Sequence, residues 1–261
     1  MKQVGRLMAW HWHLIKDQFA LLCGVYGIQQ VVLLLLAASS QKMFGFQMAD
    51  LFLRCGQMPL FFISLYLVVL TAAMAVRSRG RSHTMYTMYT MPFHRVVLPA
   101  AQMILCLVLL AVFSAWQVVL YAVSYFPVTA LSTMAAGHVA TGPIQTGSLP
   151  NEMNANPLFQ LLLPVKVTGW LWLLGFLLLL SVQSACIACC RGLRRVVAML
   201  AALVTAGVGA GALYFQYHIT VYRPEDPGVI LLAALLWGVA LLPAFLNILS
   251  TAWALCRAES L

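Results

Sequence analysis

Six long apolar runs divide the chain, at roughly Phe19 to Ala38, Pro59 to Val76, Val97 to Val119, Val167 to Ala188, Val196 to Gln216 and Val229 to Thr251. A helix rises 1.5 Å per residue, so about 20 residues cross the ~30 Å hydrocarbon core of a bilayer. Each run meets that length, and the pattern predicts six transmembrane helices. Ahead of the first run, Leu7, Met8, Trp10, Trp12, Leu14 and Ile15 alternate with Arg6, His11, His13 and Lys16, which suits a short helix lying in the headgroup layer. The expected organisation is an interfacial elbow helix over residues 1–18 followed by a six-span domain over 19–261. The first run exceeds the apolar core of about 7 to 15 residues that a cleaved signal carries, so it is expected to remain as a span.

Composition agrees with the pattern. The chain has 261 residues, 63% of them hydrophobic and only 8% charged, and its mean hydropathy is +0.92. Soluble domains use about a quarter charged residues to cover their surface, so a water-facing globule is excluded. Disorder is excluded by hydrophobicity, and a small disulfide scaffold by length. Of the seven cysteines only Cys55 falls on the expected outer side, too few for an external disulfide framework.

Charge then orients the spans. With both termini on one side, that side receives Lys2, Arg6, Lys16, Arg77, Arg79, Arg81, Arg95, Arg191, Arg194, Arg195 and Arg257, against two acids, Asp17 and Glu259. Lys42, Arg54, Lys166 and Arg223 fall opposite and are balanced by Asp50, Glu152, Glu225 and Asp226. The whole formal net charge of +9 therefore sits on one side, which the retention of Lys and Arg in the cytoplasm assigns to the inside. The basic residues are spread over span ends, where topology accounts for them, so nucleic acid is not an expected partner.

The spans hold no Asp, Glu, Lys, Arg or His. Ion-driven carriers need a titratable or ion-coordinating group at depth, which argues against proton coupling. Gln29, Gln30, Gln102, Gln117, Gln183 and Asn247 can line a pathway or hydrogen-bond between helices. Gly207 and Gly211 form a GxxxG pair around Gly209, expected to serve close helix packing. Pro243 marks a kink and a hinge candidate in the sixth span. No HExxH, GxSxG, paired carboxylates within a span or P-loop lysine motif occurs, so neither an enzyme nor a bound cofactor is expected. Cys186, Cys189 and Cys190 cluster at the inner end of span four; three thiolates lack a fourth ligand for zinc, and a lipidated or inert group is the alternative.

The most informative stretch is RSRGRSHTMYTMYTMPFHR, from Arg77 to Arg95. Its three-residue step puts Thr84, Thr87 and Thr90 on one side of a helix and Met85, Met88 and Tyr89 broadly on the other. Pro92 ends it, because the residue before proline is pushed out of helical geometry. Met and Tyr make an adaptable contact surface, and an ordinary interfacial helix is the plainer alternative.

A basic loop after the second of six spans, with a Thr-rich turn running through MPFHR into the next span, resembles the permease subunits of type-two-class ABC exporters. The resemblance implies an all-α polytopic membrane protein whose residues 1–18 form the elbow helix and whose Ser82 to Arg95 segment is the cytoplasmic coupling helix. It further implies that Met85, Tyr86, Met88, Tyr89, Thr90, Pro92, His94 and Arg95 contact a separate ABC ATPase subunit. A second permease chain, identical or related, would complete the pathway in the plasma membrane of a prokaryote, both termini being cytoplasmic. Amphipathic, lipid-like or peptide cargo suits the apolar walls. A non-transporting membrane scaffold and the membrane component of an energy-coupling uptake system are the other readings. The longest external segment, about Ser124 to Lys166, carries Gly137, Gly142, Pro143, Gly147, Pro150, Asn151, Asn154 and Pro157 and is expected to be an irregular loop. Its apolar end, Leu158 to Pro164, is a candidate roof over a cavity.

Overall fold

The computed structural model describes residues 2–39, 47–75, 97–136, 148–190, 192–221 and 227–257. Among them the fold is all-α: α1 (Lys2–Ser39), α2 (Met48–Arg54), α3 (Gln57–Ala75), α4 (Val97–Ala136), α5 (Leu149–Ala155), α6 (Pro157–Leu162), α7 (Val167–Cys189), α8 (Leu193–Val221) and α9 (Pro227–Arg257). Six of these, α1, α3, α4, α7, α8 and α9, are long and apolar enough to cross a membrane. The chain is thus an all-α protein with the architecture of a multi-pass membrane protein.

The spans alternate in direction. Gln102, early in α4, donates to the Ala72 carbonyl near the end of α3 (2.6 Å) and to Ser184 Oγ near the end of α7 (3.1 Å). Asn247, late in α9, donates to Gln183 of α7 (2.5 Å) and to the Ala198 carbonyl early in α8 (3.4 Å). The ends of α3, α7 and α9 and the starts of α4 and α8 therefore share one end of the bundle, which also carries Arg194 and Arg195. At the opposite end sit the short helices α2, α5 and α6. Two tight turns depend on glycine in left-handed geometry: Gly56 (φ 67°) between α2 and α3, and Gly192 (φ 57°) between α7 and α8. A side chain is strained there.

Helices α1, α3 and α4 pack as one group and α7, α8 and α9 as another, joined where α3 and α4 meet α7 and where α3 meets α8. Burial follows this order. Over their span windows α7 is 56% buried, whereas α1 and α9, at the flanks, are 28% buried. The wide apolar faces of α1 and α9 are thus open to lipid or to another chain.

Three features depart from the sequence pattern. No break separates residues 2–18 from the first span, because α1 is a single 38-residue helix, about 57 Å long at 1.5 Å per residue. The third span does not end near Val119, since α4 runs 40 residues through Pro127 to Ala136. Part of the 124–166 segment is ordered helix rather than irregular loop: α4 fills its start, and α5 and α6 bury Glu152, Leu158, Phe159, Leu161 and Leu162.

Candidate functional site

The residues the resemblance assigned to ATPase contact, Met85, Tyr86, Met88, Tyr89, Thr90, Pro92, His94 and Arg95, lie outside the described residues. The candidate pathway residues and the hinge do not, and they fall into two levels of the bundle.

At the end holding Arg194 and Arg195, polar side chains tie helix to helix. Gln183 and Ser184 are neighbours on α7, about 100° apart on a helix, so they address different partners. Ser184 accepts from Gln102 of α4. Gln183 accepts from Asn247 of α9 and its Nε2 lies 3.4 Å from Thr205 Oγ1 of α8. Thr205 in turn donates to the Ala201 carbonyl at 2.9 Å. Asn247 thus serves interhelical bonding, and α7 pins the two helix groups together. Pro243 lies inside an unbroken α9, one turn before Asn247. Cys190 Sγ lies 3.8 Å from Thr251 Oγ1, and among the described residues no group of three or more His, Cys, Asp or Glu could hold a metal ion.

Toward the cap end, the amides behave differently. Tyr26 of α1 packs on Phe113 of α4 with ring centroids 5.2 Å apart, and Trp116 donates to the Cys23 carbonyl at 3.2 Å. Gln30 and Gln117 each lie about one turn closer to the cap end than Tyr26 and Phe113 on their own helices. Gln57 starts α3 near the same level, since Cys55 Sγ lies 3.8 Å from the Leu33 carbonyl. Gln30, Gln57 and Gln117 are fully buried, and neither amide atom of any of them has a partner among the described residues. A buried unpaired amide costs about 1–3 kcal/mol, so this level is the polar weak point of the α1–α3–α4 group. Gln29, half-buried beside it, also has an unpaired Nε2.

Above that level the short helices form a cap. Glu152 of α5, buried, accepts from the backbone N–H of Ala49 in the first turn of α2 at 3.0 Å, a helix cap supplied from 103 residues away. Tyr121, one turn beyond Gln117, holds the cap from below: its ring lies 4.5 Å from Phe159 of α6 and 5.6 Å from Phe52 of α2. Asn156 caps α6 by accepting from Leu158 N at 3.0 Å. The apolar 158–162 stretch therefore roofs the bundle.

Beneath α5 and α6, against α7 and α8, lies a cavity of about 570 Å³, within the range of small-molecule sites. Its floor is apolar, from Phe159, Leu161, Trp172 and Leu213, and its rim carries Lys166. A second groove of about 400 Å³ runs along the bundle wall between α3 and α8, past Gly207 and Gly211. This corrects the packing expected of the GxxxG pair. A Cβ on Gly207 or Gly211 would meet nothing within 4 Å, whereas one on Gly209 would lie 2.6 Å from Phe176 Cε2. The close approach belongs to the middle glycine.

Glu152, Ser184 and Lys166 were not singled out from sequence. Asn156 followed by Pro157 was a legible helix start, Asn as N-cap and Pro at the first helical position, and would have exposed α6. Comparison with known protein families, curated proteins and solved structures finds no match for this chain.

Proposed function

We propose that this chain is the membrane-spanning permease subunit of an ATP-driven transporter of the ABC type, moving an amphipathic, lipid-like or peptide substrate. What carries the reading is a pairing of features. From Gln18 onward the spans contain no Asp, Glu, Lys, Arg or His away from their ends, which argues against coupling to a proton gradient. Between α3 and α4 runs the basic, Thr-rich segment that resembles a coupling helix. Energy would then arrive from a separate ATPase subunit docked on Ser82 to Arg95, and closure of the ATPase pair would rock the two helix groups about α7. The thinly covered α1 and α9 leave apolar surface for a second permease chain in a prokaryotic plasma membrane.

The test is recovery of the nucleotide-binding subunit with wild type and with the Met88→Ala/Tyr89→Ala double variant at equal membrane expression. Truncating central interface anchors costs about 2 kcal/mol or more, roughly thirtyfold in affinity. Recovery and stimulated hydrolysis should fall accordingly. Undiminished recovery in the double variant, or substrate uptake by the purified chain driven by a proton gradient alone, defeats the reading.

A further inference from the structure

The cavity under the cap is chemically one-sided. Its buried floor, Phe159, Leu161 and Leu213, is apolar, and Trp172 makes one wall, held in place by stacking on Trp237 at 5.0 Å and 27°. Lys166 is the only ionisable residue among the described residues lining it; the other polar lining groups, such as Thr168 and Gln216, are neutral. The mouth is fixed by a close backbone approach. A Cβ on Gly169 would lie 2.5 Å from Pro164 Cβ, so only glycine lets the Leu163–Lys166 turn settle on the first turn of α7. That contact holds Lys166 at the rim, beside the start of a 23-residue helix whose dipole adds positive potential. Val165 at the same rim is 92% exposed, an apolar entrance beside a cation. The groove between α3 and α8 has no charged residue among the described residues that line it and lacks this polarity.

From these features we infer that the cavity binds a single-chain anionic amphiphile, with a carboxylate or phosphate head at Lys166 and its alkyl chain lying over Phe159, Leu161 and Leu213 against Trp172. Charge complementarity selects the sign of the head, and a volume of about 570 Å³ fits one chain of drug-like size. Each methylene buried in such a site strengthens binding about fourfold, taking roughly 0.8 kcal/mol per CH2. The inference stands on the cavity alone and needs no ATPase.

The experiment uses the full chain in nanodiscs of zwitterionic lipid and a palmitate analogue bearing a photoactivatable diazirine near its methyl end. After irradiation and digestion, mass spectrometry locates the label. The expected result is label on the peptides carrying Phe159 to Leu163 and Leu213, competed by palmitate and by dodecyl phosphate but not by hexadecanol or hexadecyltrimethylammonium. Lys166 is exposed, so Lys166→Glu leaves packing intact; it should lower cavity labelling at least tenfold, while Lys166→Arg keeps it. Thr168→Trp, on the exposed rim, should block labelling whatever the charge at 166. Label confined to outward-facing Leu171, Leu174 and Leu178, or cavity label indifferent to Lys166→Glu, overturns the inference. Neither result bears on recovery of an ATPase subunit, so the two readings fail separately.

Discussion

Three glycines at alternate positions of α8 offer a controlled measurement of packing. Gly207, Gly209 and Gly211 share one helix and one apolar environment, and replacing each by Ala brings the same gain in helix propensity, about 1 kcal/mol. Only Gly209 is pressed against a neighbour. Its new methyl would stand 2.6 Å from Phe176 Cε2 and 2.9 Å from Cδ2, and Phe176 cannot swing away freely, being buried and edge-on to Phe62 at 6.3 Å. Overpacking of this kind costs about 1–3 kcal/mol. The difference between Gly209→Ala and either flanking substitution cancels the propensity gain and isolates the clash. At about 2–4 °C per kcal/mol for a chain near this size, Gly209→Ala should melt some 2–12 °C below Gly207→Ala and Gly211→Ala, measured by thermal unfolding of the purified protein in one detergent. Phe176→Leu should recover most of the loss in the double variant, because the pair is in contact. If Gly207→Ala or Gly211→Ala lowers the transition as far as Gly209→Ala does, the face assignment of α8 is wrong and the lateral groove is not open.

Buried amides give a second contrast. Asn247→Leu strips the Gln183 side-chain oxygen of its donor and should destabilise by about 1–3 kcal/mol, whereas Gln30→Met removes an amide that no group among the described residues satisfies and should be neutral or stabilising; equal losses of melting temperature would refute the distinction. Glu152→Ala removes the buried acceptor of Ala49 N, a bond to a charged group of about 1.5–3 kcal/mol, and should raise cleavage by added protease near α2 and α5, while unchanged cleavage would show that Glu152 does not hold the cap. The charge split predicts that an impermeant thiol reagent applied to intact cells reaches the α6–α7 turn and not the α7–α8 turn. Native thiols report this poorly, since Cys190 is buried and burial pushes the Cys55 thiol up from its ordinary value. Val165→Cys and Leu193→Cys, at positions 92% and 79% exposed, are the probes; labelling of Leu193→Cys alone reverses the orientation.

The six spans were legible because a run of twenty apolar residues has few other physical outcomes. Their limits were less so. Alternating Trp, His and Lys before Phe19 suited a separate surface helix, yet nothing in Met8 to Gln18 breaks a helix, and α1 continues through it. Likewise the third span was expected to end near Val119, but the interior Pro127 removes one hydrogen bond without abolishing a helix whose flanks are packed, and Val128 just beyond it is buried. The cap was missed for a different reason. Its glycines and prolines were read as breakers, while the same residues also start helices: Pro150 and Pro157 each occupy a first turn. The contact that fixes the cap, Glu152 with Ala49, joins segments too distant in sequence for any local pattern to show.

The two polar levels together say where the bundle resists motion and where it yields. At the end holding Arg194 and Arg195, Gln102, Ser184, Gln183 and Asn247 are paired across helices, and separating α7 from α4 or α9 there breaks bonds that lipid cannot replace. At the cap end, Gln30, Gln57 and Gln117 have no side-chain bonds among the described residues to lose. Opening the α1–α3–α4 junction at that level would expose these amides to water and recover their hydration, offsetting part of the cost of parting the aromatic contacts of Tyr26, Phe61 and Phe113. Parting the helices within the α1–α3–α4 group at the cap end is therefore cheaper than parting α7 from α4 or α9 at the clamp. At the cap end the bundle is roofed by Tyr121, Phe159 and Phe52 rather than by interhelical amide bonds, and there the one-sided cavity lies.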